Sequence, residues 1–366
     1  MFKKIDRYIL KKFFTTVFFI VAALTVIATV IDISEKTDDF VKTKLSAGQI
    51  FIKYYLGFIP HIAALIFPLF VFIGVIWFTS KMAVRSEIIA ILSSGVSFNR
   101  LLRPYLLGGV FLGILLWFGN RYLIPKANSV RTNFYVNYLD VLNPDPSRQS
   151  YSSLSDLHFR IDSFTYAGMH SYDTTGKYGT YFYLQKIDNG KIVYNLRADN
   201  IKWDSISKQW QLTNVLERKI LGIKEEIQVF PKKEIKFTFY PSELKKDEYL
   251  KDKLSTPQLT SYIKREEIKG SEGLNTLLVE RYKRDAVPVA VVIFTLMGGI
   301  VASKRVRGGS GLHLAMGLAL AVSFEVLNKF STVFSTNGNL PPFLAAWMPD
   351  IFFALITIWL YKRAPK

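Results

Sequence analysis

The sequence contains no cysteine, which excludes a disulfide framework and any thiolate metal site. Histidine is sparse. His61, His158, His170 and His313 are scattered and lack metal-ligand spacing. No G-x-x-x-x-G-K-[ST] run is present, so the chain does not bind ATP in the P-loop manner. The nearest glycine cluster, RGGSG at 307–311, reads as a tight turn between two apolar runs. No catalytic constellation stands out. Acidic residues are the minority: 29 Asp and Glu stand against 47 Lys and Arg, a net charge of +18. That excess could suit nucleic acid, but no basic–aromatic module accompanies it. Basic residues flanking membrane helices account for it better.

Apolar residues are abundant. They make up half of the 366 residues and cluster in long runs. A helix needs roughly 20 apolar residues to cross the hydrocarbon core. Six spans follow, at 13–33, 51–79, 100–124, 286–303, 311–333 and 343–361. The first comes after a basic start, MFKKIDRYILKK, which raises the question of a signal peptide. The run is too long for an h-region and no A-x-A site follows it, so an uncleaved helix is expected. Lys and Arg set the orientation. Lys3, Lys4, Arg7, Lys11 and Lys12 precede the first span, and Lys81, Arg85, Arg100 and Arg103 follow the second. Lys304, Arg305 and Arg307 follow the fourth, and Lys362, Arg363 and Lys366 the sixth. Six spans put all four groups on one side, which is the cytoplasm, with both termini.

The chain thus divides into a membrane half at 1–124, an outer region at 125–285 and a second membrane half at 286–366. Within the outer region HFRIDSF, TYFYLQKI, KIVYNLRA, KQWQLTNV and EIQVFPKKEIKFTFY alternate apolar with polar residues, and DNG and TTGKYG separate some of them. Period-two patterning with such turns predicts antiparallel strands, in a sandwich or open roll. Ser255, Thr256 and Pro257 mark a helix start.

Charges inside spans are costly. Glu325 is the best case, and Lys329 stands four residues on, at pairing distance along one helix face. Pro60 and Pro68 interrupt the hydrogen-bond ladder of the second span. Gly298 and Gly299 should allow close helix packing. Between the second and third spans lies RSEIIAILSSGVSFNRLLRP, too polar to cross a bilayer and too apolar for a plain loop. Ile88, Ile89, Ile91 and Leu92 would form an apolar band, and Gly95 would stop the helix. An interfacial anchor would favour basic residues on the polar face. Leading with Glu87 and carrying Ala90, Ser93 and Ser94, this helix suits docking into a groove on another protein equally well.

Taken in order, DRYILKKFF, the segment just quoted, IPKANSVRTNF, ERYKRDAVPVAVVIFTLMGGIVASKRVRGGSG and NGNLPPFLAAWMP resemble the lipopolysaccharide-export permease family LptF/LptG (YjgP/YjgQ) nearly end to end. DRYI and TDDF resemble the LptG branch more than LptF. The resemblance implies an α-helical polytopic inner-membrane protein with three plus three spans and an inserted periplasmic antiparallel β-jellyroll at about 150–245. It implies that 85–96 is a coupling helix seated in a groove of an LptB ATPase, with Glu87, Ala90, Ile91 and Gly95 in that contact. The chain would then be the non-catalytic half of an ABC transporter, without a cofactor of its own. Its partners would be an LptB dimer, a paralogous LptF-like permease, single-span LptC and the periplasmic bridge LptA.

Extraction of lipopolysaccharide would proceed by closing a cavity walled by the first, second and fifth spans. Phe67, Phe70 and Phe72 would lie beside acyl chains, and cations would meet lipid A phosphates at the rim. The family's basic positions fall here near Asp32 and at His61, so phosphate contacts are expected at Lys36, Lys42 or Lys44, with Arg131 keeping a basic position. Three rivals remain: another ABC-type lipid or lipoprotein permease, a secondary transporter, which calls for several ionisable residues at mid-membrane depth, and a membrane-anchored periplasmic scaffold.

Overall fold

The computed structural model describes residues 4–140, 153–222, 224–237, 239–244, 249–269, 273–304 and 309–364. Six helices are long and apolar enough to cross a membrane. They belong to one compact unit, and the strands, within Leu139–Leu250, belong to another.

The first helix, α1 (Lys4–Lys42), has 39 residues. At 1.5 Å per residue it is about 58 Å long, nearly twice the hydrocarbon thickness. The sequence predicts a span ending at 33 and then a charged loop. The helix instead continues through that charged stretch, where Asp32 with Lys36 and Asp39 with Lys42 pair along it at i,i+4 and i,i+3. The second span is two helices, α2 (Leu56–Leu65) and α3 (Phe67–Val84). Pro60 stays inside α2, while Pro68 opens α3, where a missing N–H costs nothing. The break falls at Ile66, whose φ of −105° and ψ of 8° leave the helical region. A short helix, α4 (Glu87–Ser93), follows. Helical structure then runs from Phe98 to Leu139, through α5 (Phe98–Phe118) and α6 (Ile124–Phe134), with π-helical turns at Gly119–Leu123 and Tyr135–Leu139. Beyond the strands come α7 (Thr256–Lys269), α8 (Leu274–Ala302), α9 (Gly309–Thr336) and α10 (Pro342–Lys362).

Apolar on all sides, α3 is buried on both of its faces. Val71, Val75, Phe78 and Met82 pack with Ile9, Phe13 and Val17 of α1 and with Leu101, Tyr105 and Leu112 of α5. Phe72 and Ile76 pack with Phe294, Phe324 and Phe353 of α8, α9 and α10. Gly298 lies against Phe72 and Val75, and Gly299 against Leu102 and Tyr105, the close approach the sequence predicts. Polar side chains add hydrogen bonds across helices: Thr79 Oγ1 to Tyr105 Oη at 3.0 Å, and Ser80 Oγ to His313 Nδ1 at 3.0 Å. Glu325 is half-buried, and among the described residues no ion pair joins it to Lys329.

The second unit carries six strands: β1 (Ser153–Asp162), β2 (Thr165–Asp173), β3 (Tyr178–Asp188), β4 (Lys191–Asp204), β5 (Gln209–Leu221) and β6 (Lys224–Ile235). They form one antiparallel sheet in the order β1-β2-β3-β4-β5-β6, each strand beside its sequence neighbour. The roll is therefore an up-and-down meander among the described residues, not a two-sheet sandwich. Asn189 and Gly190, both left-handed, make the two-residue turn from β3 to β4.

At one level β2, β4 and β5 carry a shared irregularity. In β5, Leu212 and Val215 are buried three residues apart, with Thr213 half-buried and Asn214 exposed between them. Ala198 and Ile201 flank the same step in β4, and Met169 and Tyr172 in β2. Asp156, Tyr181 and Asn214 adopt left-handed φ of 51°, 50° and 53° along this line. Pairing stays in register across it (Thr180 with Asn200, then Phe182 with Ala198), so the pleat changes phase without inserting a residue.

The sheet curls strongly. Phe239, beyond β6, lies 4.9 Å from Phe159 of β1 and 5.1 Å from Trp210 of β5, ring centroid to ring centroid. A flat sheet would hold those strands about 19 Å apart. Trp210 Nε1 donates to the Phe239 carbonyl at 3.0 Å, and Phe237 stacks on Phe239 at 5.2 Å. These rings fill the inside of the roll.

Gly57 of α2 allows the close approach of α6. A Cβ there would stand 2.4 Å from the Ala127 carbonyl oxygen and 2.6 Å from the Arg131 nitrogen. Backbone cannot give way as a side chain can. Gly57→Ala should therefore lower stability by about 2 kcal/mol, measured as unfolding in detergent. Gly48→Ala, whose Cβ meets nothing within 4 Å, should be close to neutral.

Candidate functional site

The residues singled out from the sequence gather at the two ends of α1. At its N-terminal end stands the segment 85–97. Ser86, with φ 61°, and Gly95, with φ 83°, bracket α4 in left-handed turns. Gly95 N donates to the Leu92 carbonyl at 3.0 Å, the helix stop expected there. Ile88 is buried, Ile91 and Leu92 are half-buried against the α1–α3–α5 core, and Ala90, Ser93 and Gly95 are exposed. Ile89 departs from the expected apolar band, with 47% of its surface exposed.

Glu87 has a partner within the chain. Lys12 Nζ donates to its two carboxylate oxygens at 2.9 and 3.1 Å, and Tyr8 Oη donates at 2.8 Å. Partial burial alone would raise the Glu87 pKa. The hydrogen bonds from Lys12 and Tyr8, with the charges of Lys12 and Arg85, bring it below the ordinary carboxylate value. Near the other end of the segment Arg100 pairs with the buried Asp6 of α1.

Toward the C-terminal end of α1, Asp32 is buried. A carboxylate removed from water needs donors. Tyr54 Oη supplies one at 3.1 Å, Tyr55 Oη another at 3.2 Å, and Lys36 pairs with it one turn on. Lys36 Nζ also donates to Tyr54 Oη at 2.6 Å. Phe40, Phe58 and Phe134 pack around these tyrosines, and Lys53 donates to Tyr138 Oη at 2.8 Å.

The structure distributes the expected rim residues unequally. Lys36 is committed to Asp32 and Tyr54. Lys42 is exposed, 3.5 Å from Asp39, and Lys44 is exposed with a left-handed φ of 57°. Arg131 lies 5.7 Å from the Tyr135 ring, and its buried Nε has no hydrogen-bond partner among the described residues. His61 is half-buried and close to the charge of Arg131. Phe67 is half-buried against the α1–α3–α5 core, and Phe70 is buried. Phe72 is wholly buried, 4.8 Å from Phe294. These last two are packed inside the chain's own bundle in this conformation. Sequence reasoning missed Tyr8, Tyr54 and Tyr55, although the adjacent tyrosines near the start of the second span were a visible signal.

Removing one partner of a buried ion pair leaves the other charge stranded. Asp32→Asn should destabilise the protein by about 3 kcal/mol. Asp32→Asn with Lys36→Met should recover part of that loss in denaturant or thermal unfolding. Additive losses would mean that the two side chains do not act as a pair.

Two comparisons bear on the whole chain. Residues 7–363 match the family model described as lipopolysaccharide export system permease LptF/LptG. The chain is 22% identical over 370 residues to lipopolysaccharide export system permease protein LptG of Escherichia coli strain K12, with 99% of each chain covered. The LptG protein of Escherichia coli O6:H1 strain CFT073 matches with the same identity and coverage. Six apolar helices, an inserted antiparallel sheet and a family match along nearly the whole length agree, and the chain belongs to the LptF/LptG family of lipopolysaccharide export permeases.

Proposed function

We propose that this chain is the LptG-type permease subunit of an ATP-driven transporter that extracts lipopolysaccharide from the inner membrane and passes it to a periplasmic bridge. The observation that carries this reading is its similarity to LptG over 99% of both chains. ATP would be hydrolysed by a separate LptB-like dimer that meets the segment 85–96. An LptF-like permease, an LptC-like single-span protein and an LptA-like bridge complete the assembly.

The exposure of the spans supports a paralogous partner. Only 11% of the apolar stretch of α1 and 22% of that of α9 is buried within the chain, against 67% for α3. The first and fifth spans thus have the faces available to wall a shared cavity. In this reading α3 is the internal support of the wall, with Phe67 nearest to it. Lys42, Lys44, His61 and Arg131 are the rim groups that would meet lipid phosphates, because Lys36 is held by Asp32.

The test is reconstitution. An LptB-type ATPase and a second six-span permease should co-purify with the chain. Proteoliposomes holding that complex should release lipopolysaccharide to an LptA-type acceptor only when ATP is supplied. Release without ATP, or none with every component present, would sink the proposal.

Orientation has its own test, made possible by the absence of cysteine. A cysteine at Ser205, in the turn after β4, should react with a membrane-impermeant thiol reagent in intact spheroplasts. One at the exposed Ser94 should react only after lysis. The reverse pattern would overturn the topology with cytoplasmic termini.

A further inference from the structure

We propose that a hollow on the outer face of the β-sheet is a saccharide site, which holds the glycan part of the exported glycolipid against Tyr183 and Arg197. The source of the glycan rests on the export reading above; the hollow and its chemistry do not.

The hollow lies beside the step in the pleat, where Tyr181 and Asn214 take left-handed φ. Its floor is the row of Phe182, Ala198 and Val215, cross-strand neighbours whose side chains are buried in the inner cluster. One residue along each strand, Tyr183, Arg197, Leu216 and Val229 are neighbours in the next row. Period two turns that row to the opposite face, away from Trp210 and Phe239 inside the roll. The space over β3, β4, β5 and β6 is about 900 Å³. Small-molecule sites span about 300–1,000 Å³.

Two kinds of surface meet in it. Leu216 and Val229 are 40% and 69% exposed, where the outer face of an antiparallel sheet ordinarily carries polar residues. The Tyr183 ring is an aromatic wall fixed in advance. It lies over Gly168, where a Cβ would stand 2.6 Å from a ring carbon, and its Oη is 2.8 Å from His158 Nδ1. The other kind is planar and polar. Arg197 is exposed and, among the described residues, its guanidinium has no hydrogen bond or ion pair. Asn214 Nδ2 donates to Asp199 Oδ2 at 2.8 Å, which leaves acceptor oxygens on both side chains.

A sugar ring has a C–H face that lies on an aromatic ring and a rim of hydroxyls that both donate and accept. Planar side chains holding two or more hydrogen-bonding atoms match neighbouring hydroxyls, and the Arg197 fork also takes an acidic substituent. An acyl chain suits the hollow less well, because it would take Arg197 and Asp199 out of water without partners. A strand from another protein would pair with a sheet edge, and this hollow is on a face.

The probe is the lipid-free core oligosaccharide of the exported lipopolysaccharide. It is titrated onto the full chain in detergent and followed by saturation-transfer NMR. Wild type should bind it, and Arg197→Ala and Tyr183→Ala should each weaken binding about tenfold. Tyr183→Phe, which keeps the ring over Gly168, should bind nearly as wild type does. Arg197 is exposed and unpaired, so Arg197→Ala decides the matter alone if Tyr183→Ala does not elute as folded protein. In the assembled complex, a photoreactive phenylalanine analogue at Val229 should cross-link to the glycolipid. Cross-linking to a polypeptide instead would give the hollow to a protein partner and overturn the saccharide site. Wild type that binds no oligosaccharide, or Arg197→Ala that binds it undiminished, would overturn the site as well, and export by the reconstituted complex would stand regardless. A complex that exports nothing while the chain still binds oligosaccharide through Arg197 would overturn the export reading and support the site.

Discussion

A carboxylate taken out of water has to be met by donors, and both ends of α1 are organised around that constraint. At one end Lys12 and Tyr8 converge on Glu87, with Arg100 on Asp6. At the other, Lys36, Tyr54 and Tyr55 converge on Asp32. Between them the helix runs unbroken and packs Ile9, Phe13 and Val17 against α3 and α5. An unbroken helix transmits displacement along its axis better than a loop does. The segment that leads into α4 and the aromatic cluster around Tyr54 are therefore tied to the two ends of one rigid element.

That arrangement gives α3 and α1 different tasks. Buried on both faces, α3 joins the two hydrophobic cores of the bundle. By contrast, α1 uses one narrow stripe for packing and leaves Phe18, Phe19, Ile27 and Val30 exposed. Exposed apolar surface is stable against lipid, so those positions carry no penalty while unpartnered. They are also free to exchange lipid for protein contacts without disturbing the stripe that packs on α3.

Much of the fold was legible because each element answers to a simple length or period. Span count follows from membrane thickness, and the antiparallel sheet from alternation and turns such as Asn189-Gly190, although β2, with Ala167, Gly168 and Met169 buried in succession, does not alternate and was not among the segments read as strands. The ends of the spans were not legible. Asp32, Lys36, Asp39 and Lys42 read as loop charges, yet side-chain pairing lets α1 continue through them. The line along which the buried alternation changes phase through β2, β4 and β5 was equally hidden. One phase change in one strand resembles noise, and only its alignment across strands reveals a pattern. In the site, the acid that opens α4 was visible, but its partner Lys12 lies 75 residues away. Nothing in local sequence announces such a pairing, so the contact of Glu87 with α1 was not legible.

The rings of Phe237 and Phe239 inside the roll have a consequence for any lipid that uses it. The interior is no vacant channel. A fatty chain could enter only by replacing aromatic surface with its own, one apolar lining for another. Burying a side chain of this size is worth about 2 kcal/mol, and an entering chain would recover a similar amount for itself. Such an exchange is nearly balanced and easily reversed. A roll built this way could hand a chain onward as readily as back, and the direction of traffic would have to be imposed from outside it.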